Sequence, residues 1–289
     1  MKYFLVILLM EVILTVKMTA QVVCIPPFQK DMTKLHVVDS TGYFRASYAM
    51  NATDIKDTNT YDDLHRLEIG QNRSIYYSYF IFQNDSLATE WRKINPIAES
   101  GPPFIMGDFG KQSGKWSEYY YTYYLKYFDT GRLAEFVRFP RNLPHYRFTE
   151  DIPEQRWTLH QDTSTIAGYM CQKATTRFRG RNYIAWFTPE IPISNGPWKF
   201  GGLPGLILKV YDEDRLFTFE CAKIEYFRNT FHIQAPLSLF YYRFQDDYQR
   251  HRRLMANIWE DCYRASGWIM NGPNPDANER GSYKPLELE

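Results

Sequence analysis

The side chains best suited to chemistry are spread thinly along this 289-residue chain. Six histidines (His36, His65, His145, His160, His232 and His251) lie far apart, without the close spacing that sets two imidazoles on one metal. No His-Glu-x-x-His, Gly-x-Ser-x-Gly or Gly-x-x-x-x-Gly-Lys-Ser/Thr pattern occurs. Cys24, Cys171, Cys221 and Cys262 form no Cys-x-x-Cys, and a nucleophilic role for Cys171 would need an adjacent base that the sequence does not indicate. Asp212, Glu213 and Asp214 lack the ordered oxygen spacing of a calcium loop and read as a solvated hairpin tip. No metal and no cofactor is expected. Asp108, Glu118 and Glu190 remain as scattered carboxylates, and a hydrolase would need two such groups about 5–9 Å apart in a cleft.

Residues 196–207 read Gly-Pro-Trp-Lys-Phe-Gly-Gly-Leu-Pro-Gly-Leu-Ile. Loops so rich in glycine and proline are usually polar, whereas this one carries side chains that seek burial. A phosphate cradle is excluded, because Pro204 removes an amide donor and no lysine follows Gly205. Two uses remain. As the rim of a binding site, Gly201, Gly202 and Gly205 would let another backbone come close. Trp186, Trp198, Phe200 and Leu203 would then supply contact surface, with Pro197 and Pro204 in the same rim. As a bulge and corner, the same residues would close a sheet over its own core.

Strands must position that corner. With 23 tyrosines and 20 phenylalanines, the chain repeats aromatic and β-branched runs between turn signals. Residues 42–50 read as a strand, 64–69 with 74–80 as a hairpin, and 116–128 with 133–139 as a second hairpin. The aromatic run of 116–128 resembles a stacking platform, but aromatics alternating over two packed sheet faces are the commoner case. Short strands are expected at 146–148 and 157–159. Strong strands are expected at 166–176, 182–188, 206–212 and 216–227, with Phe217, Phe219 and Cys221 facing one way. A helix capped by Asp85 or Ser86 should run to Ile94, with Leu87, Trp91 and Ile94 on one side. A second should span about 238–266, where Tyr248, Met255, Ile258, Trp259 and Cys262 recur at helical spacing. The class is α+β, mainly β: an antiparallel sheet with one or two packed helices.

The N-terminus has a short basic start, an apolar stretch and Ala20 before Gln21, so 1–20 read as a signal peptide, 21–33 as a linker, 34–266 as one β-rich domain and 267–289 as a mobile tail. Cys24 lacks the small preceding residue of a lipid-anchoring site. Removing residues 1–20 takes Lys2, Lys17 and Glu11 from 34 basic and 33 acidic side chains and leaves the remainder formally neutral. That argues against nucleic acid as a partner, and no transmembrane span is expected in the mature chain. The basic clusters Arg177, Arg179 and Arg181, and Arg250, His251, Arg252 and Arg253, read as solvated faces. Cys171 and Cys221, on strands flanking the corner, are expected either to pair or to remain buried thiols.

The stretch from Gly168-Tyr-Met-Cys-Gln-Lys-Ala174 through Trp186-Phe-Thr-Pro-Glu-Ile-Pro192 to the corner, with Gly202 to Ile207 at its heart, resembles the GLPGLI family. That family is known mainly from Bacteroidota envelopes and has no established activity. The resemblance implies a signal-peptide-bearing protein of the periplasm or outer envelope, and it implies no catalytic residues. By fold analogy it implies a curled antiparallel sheet, an open half-barrel like the lipoprotein carriers of the periplasm. Such a sheet offers a concave apolar face to a hydrophobic small molecule or an outer-membrane protein partner. The expectation is a non-catalytic binding, carrier or interaction module. The alternative is a hydrolase of envelope polymers acting through the scattered carboxylates.

Overall fold

The computed structural model describes residues 32, 34–97, 110–111, 121–139, 144–260 and 285–289, with backbone alone for 256–260. The elements are β1 (Leu35–Met50), β2 (Asp63–Ile69), β3 (Arg73–Ser78), α1 (Tyr79–Ile94), β4 (Thr122–Tyr127), β5 (Arg132–Val137) and β6 (Tyr146–Asp151). They continue with β7 (Thr158–Ile166), β8 (Tyr169–Phe178), β9 (Arg181–Thr188), β10 (Leu206–Asp212), β11 (Thr218–Pro236), β12 (Arg243–Gln245) and α2 (Tyr248–Glu260). The strands make one mainly antiparallel sheet in the order β12-β6-β5-β4-β3-β2-β1-β11-β10-β9-β8-β7, unclosed at its ends; only β12 pairs parallel, with β6. Among the described residues no helix is long and apolar enough to cross a membrane.

The sheet curls. Tyr226 of β11 is hydrogen-bonded to Tyr169 of β8, three strands away in the sheet order. In a flat sheet those strands would lie about 14 Å apart, and the contact fits a sheet that bends them toward one another. β10 pairs with β11 only over Lys209–Tyr211 opposite Thr218–Glu220, whereas β1 follows β11 to Pro236 through several register shifts. The shifts at Asp39, Gly42 and Phe44 bend this two-stranded ribbon, as bulges do.

Side chains alternate between two packed faces. Tyr76 and Tyr124 enter the large inner cluster with Phe44, Tyr48 and Phe219, while Ile75, Tyr77, Tyr123 and Leu125 point to the outer face. There the β1–β11 ribbon and the 3₁₀ turn after it cover them with Val38, Phe231, Ile233, Ala235 and Leu239. The aromatic strand is therefore core on both sides, and Phe217, Phe219 and Cys221 are buried together as the alternation predicts.

Several expectations need correction. α1 begins at Tyr79, capped by Ser78, whose Oγ accepts from the Ile81 amide at 3.1 Å. Leu87 and Ile94 are exposed, and the buried side carries Phe80, Ile81, Asn84, Asp85, Ala88 and Thr89. Asp85 is no cap; it pairs with buried Arg138 at 2.6 Å. The second helix starts at Tyr248, because residues 237–245 form a 3₁₀ turn and β12. Asp212 is buried, accepting from the Phe217 amide at 2.7 Å and standing 3.2 Å from Arg181. Of the expected tail, residues 267–284 lie outside the described residues, but Leu286 and Glu287 are packed into the protein. Cys171 and Cys221 are free and buried, and burial pushes their thiols up, to about 11 and about 12. The expected signal peptide and linker fall outside the described residues, save Met32.

Ser78 also donates to Asp63 Oδ1 at 2.9 Å, so one hydroxyl ties the β2 start to the α1 start. Ser78→Ala is expected to lower stability by about 1–2 kcal/mol, read as a reduced urea midpoint at unchanged slope. An unchanged midpoint would show that the cap contributes nothing.

Candidate functional site

Between β9 and β10 the chain folds back on itself. The Leu206 amide donates to Ile191 O at 3.0 Å and the Ile207 amide to Asn195 O at 3.0 Å, so residues 191–207 form a closed corner. Gly202 takes a φ of +79°, a left-handed conformation that favours glycine. At Gly205 a Cβ would stand 2.1 Å from Thr188 O, so only glycine lets the corner lie against the end of β9. Trp198 holds a φ of +52°, rare for a bulky residue, and is fixed there by packing against Phe178 and Phe200 at centroid distances of 5.6 and 5.2 Å.

Side chains from distant elements satisfy the corner's backbone. The Gly201 amide donates to Gln155 Oε1 at 3.0 Å, and Gly201 O accepts from Trp157 Nε1 at 2.8 Å. Tyr48 of β1 donates to Ile207 O at 2.9 Å. Lys126 of β4 donates to Phe200 O at 2.6 Å and Asn195 Oδ1 at 2.8 Å, and Asn195 donates in turn to Ser74 Oγ of β3 at 3.0 Å. Buried backbone groups demand such partners, and here they come from β1, from β4 and from the segment between β6 and β7.

Lys199 lies between Trp198 and Phe200, and all three side chains are buried. Its Nζ stands 2.5 Å from Glu135 of β5, 2.5 Å from Glu287 and 3.0 Å from Glu150 of β6. Arg179 contacts Glu150 closely, and Arg252 of α2 lies 3.7 Å from Glu287. Three carboxylates thus face three cations. Tyr248 donates a short hydrogen bond to Glu287. Burial alone would lower the Lys199 pKa, but Glu135, Glu287 and Glu150 hold it well above the ordinary lysine value. Burial raises Glu135, whereas Lys199 and Arg252 outweigh burial at Glu287 and hold its carboxyl below the usual range. His251 lies 4.0 Å from Glu135, yet burial and the charges of Lys199 and Arg252 push its pKa down to about 3. It is a neutral imidazole, and that contact is no ion pair.

Acid–base catalysis needs a carboxyl within hydrogen-bond reach of a substrate. These carboxylates converge on an ammonium instead. Among the described residues no group of His, Cys, Asp or Glu is arranged to hold a metal ion.

The residues expected to form a binding rim are gathered in this corner, with Trp186 half-buried on β9. Their exposure differs from the expectation. Trp198, Phe200 and Leu203 point into the inner core, Pro197 and Gly205 are buried, Gly201 is half-buried, and only Gly202 and Pro204 face solvent. The expected contact surface is occupied by the chain's own packing. Glu190 is exposed at a turn and accepts from the Met170 amide at 3.1 Å; Asp108 and Glu118 lie outside the described residues. Sequence reasoning missed Lys199, Glu135, Glu150 and Glu287. The available signal was a lysine flanked by aromatics in a segment that seeks burial, which obliges it to find carboxylates. The three arginines read as a solvated cluster each hold a carboxylate: Arg177 with Glu289, Arg179 with Glu150, and Arg181 with Asp212.

A family model described as a protein of unknown function, Porph_ging, matches residues 179–209, which include Arg179, Arg181 and the corner with Lys199. No curated protein sequence matches the chain. Two crystal forms of PNGF-II are similar in structure, each at 13% identity and a TM-score of 0.46. The similar region covers 73% and 74% of this chain and 32% of PNGF-II, so the chain spans about a third of that protein's length.

Gly205→Ala is expected to destabilise by more than about 1 kcal/mol, since its methyl would overlap Thr188 O; an unchanged thermal midpoint would remove that account. Lys126 has neutral acceptors only, and burial pushes its pKa down to about 7. Between pH 7 and the ordinary lysine value the unfolded chain binds a proton that the folded chain releases. Stability from this group therefore rises with pH across that window and is lowest, and flat, below it. Wild type should gain about 2 kcal/mol relative to Lys126→Met from pH 7 to pH 9 in urea titrations. A constant difference would contradict a displaced Lys126.

Proposed function

We propose that this chain is an exported envelope protein of the GLPGLI family that acts without catalysis, as an interaction module whose corner is an internal clasp. Residues 1–20 serve as its signal peptide and the periplasm or outer envelope as its compartment. The observation carrying the non-catalytic reading is the convergence of Glu135, Glu150 and Glu287 on Lys199, which leaves these carboxylates engaged in ion pairs. Within the binding readings, interaction is favoured over carriage, because Trp198, Phe200 and Leu203 fill the concave side that an apolar small molecule would need. An outer-membrane protein is the partner class this reading implies.

Fractionation and native purification test this reading. The chain is expected in the periplasmic or outer-envelope fraction, retaining a protein partner and no stoichiometric lipid. Hydrolysis of an envelope polymer that Glu190→Ala abolishes in a normally folded protein would instead establish the hydrolase. A cytoplasmic chain would remove the envelope assignment.

A further inference from the structure

Residues 285–289, Pro-Leu-Glu-Leu-Glu, lie against the turn before β9, the start of β9 and α2. Three successive carbonyls accept from side-chain donors. Pro285 O accepts from Arg181 Nε at 3.2 Å and from its terminal nitrogen at 2.7 Å; Leu286 O accepts from Tyr183 at 3.1 Å. Glu287 O accepts from Arg252 at 3.1 Å. The Leu288 amide donates to Arg179 O at 2.9 Å. Gly180 permits the close approach, for a Cβ there would meet Leu288 Cβ at 2.7 Å. Two side chains anchor the segment: Leu286 enters the inner core, and Glu287 meets Lys199, Tyr248 and Arg252. Leu288 and Glu289 stay exposed, with Glu289 held at the surface by Arg177 at 2.6 Å.

We propose that these contacts form a binding site for an extended acidic peptide bearing a Leu-Glu pair, that residues 285–289 occupy it in cis, and that a segment of the same chemistry from a partner protein exchanges with them. Main-chain hydrogen bonds supply affinity, and the leucine pocket and Lys199 supply selection. Vacating the site does not strand the lysine, because Glu135 and Glu150 remain on its ammonium. A segment this short, with two buried side chains, can open without unfolding the sheet. The inference rests on the interaction reading for the existence of a partner, whereas the site's peptide affinity is a property of the purified chain.

The test is a fluorescence-anisotropy titration of labelled Pro-Leu-Glu-Leu-Glu against the full chain carrying Leu286→Ala and Glu287→Ala, beside wild type. Saturable binding by the variant is expected. Binding to wild type should be at least about 100-fold weaker, because the tethered segment competes at millimolar effective concentration. A peptide with lysine in place of its first glutamate should not bind. A natively folded variant that fails to bind, or binds both peptides equally, overturns the proposal even where an envelope partner is captured through another surface. Hydrogen exchange on wild type gives a reading independent of the variant's folding. The Leu288 amide should exchange by local opening, faster than the amides of β9 and β10; exchange only with global unfolding would show a permanent structural strap and overturn exchange.

Discussion

A lysine buried between two aromatic side chains must be given counter-charges, and much of this structure follows from where they come from. Lys199 takes its carboxylates from β5, from β6 and from the segment 285–289. Those strands lie on the arm of the sheet opposite β9 and β10, from which the corner springs. The ion cluster therefore joins two arms that the linear strand order leaves apart, and the curl of the sheet is what brings them together. Removing the ammonium from such a buried set costs about 3–5 kcal/mol, because the carboxylates it served are left charged and dry.

The corner's glycines and prolines acquire a physical reason from the same arrangement. A chain that must turn back sharply, expose little backbone and deliver Trp198, Lys199 and Phe200 inward needs φ values and close approaches that most residues resist. Gly202 and Gly205 meet those needs directly. The backbone groups left over are met by Gln155, Trp157, Lys126 and Tyr48, which are scattered along the sequence and adjacent in the fold. The greasy punctuation of the loop thus describes an internal joint between sheet arms.

The sheet was legible in the sequence because aromatic alternation reports two packed faces directly. Tyr123 and Tyr124 point opposite ways, as period-two patterning requires, and Phe217, Phe219 and Cys221 share a side. Helix α1 was legible in existence and not in extent. Asp85 has the chemistry of a cap, but burial against Arg138 overrides that local preference, while Leu87 and Ile94 are left outside. The ion cluster was not legible in its membership. A buried lysine announces a need for carboxylates, yet which of 33 acidic residues answer is decided by strand order and curl, which no local pattern encodes. Glu287 was hidden further by its setting, a polar stretch punctuated by proline and glycine that reads as a tail.

The central claim is that Lys199 and its carboxylates are energetically one unit. A double-mutant cycle between Lys199→Met and Glu135→Gln, read by urea unfolding at pH 7, measures it most directly. The account predicts a coupling free energy above about 1 kcal/mol, the double variant being far more stable than the two single losses would add to. Additive losses, within about 0.3 kcal/mol, would contradict it.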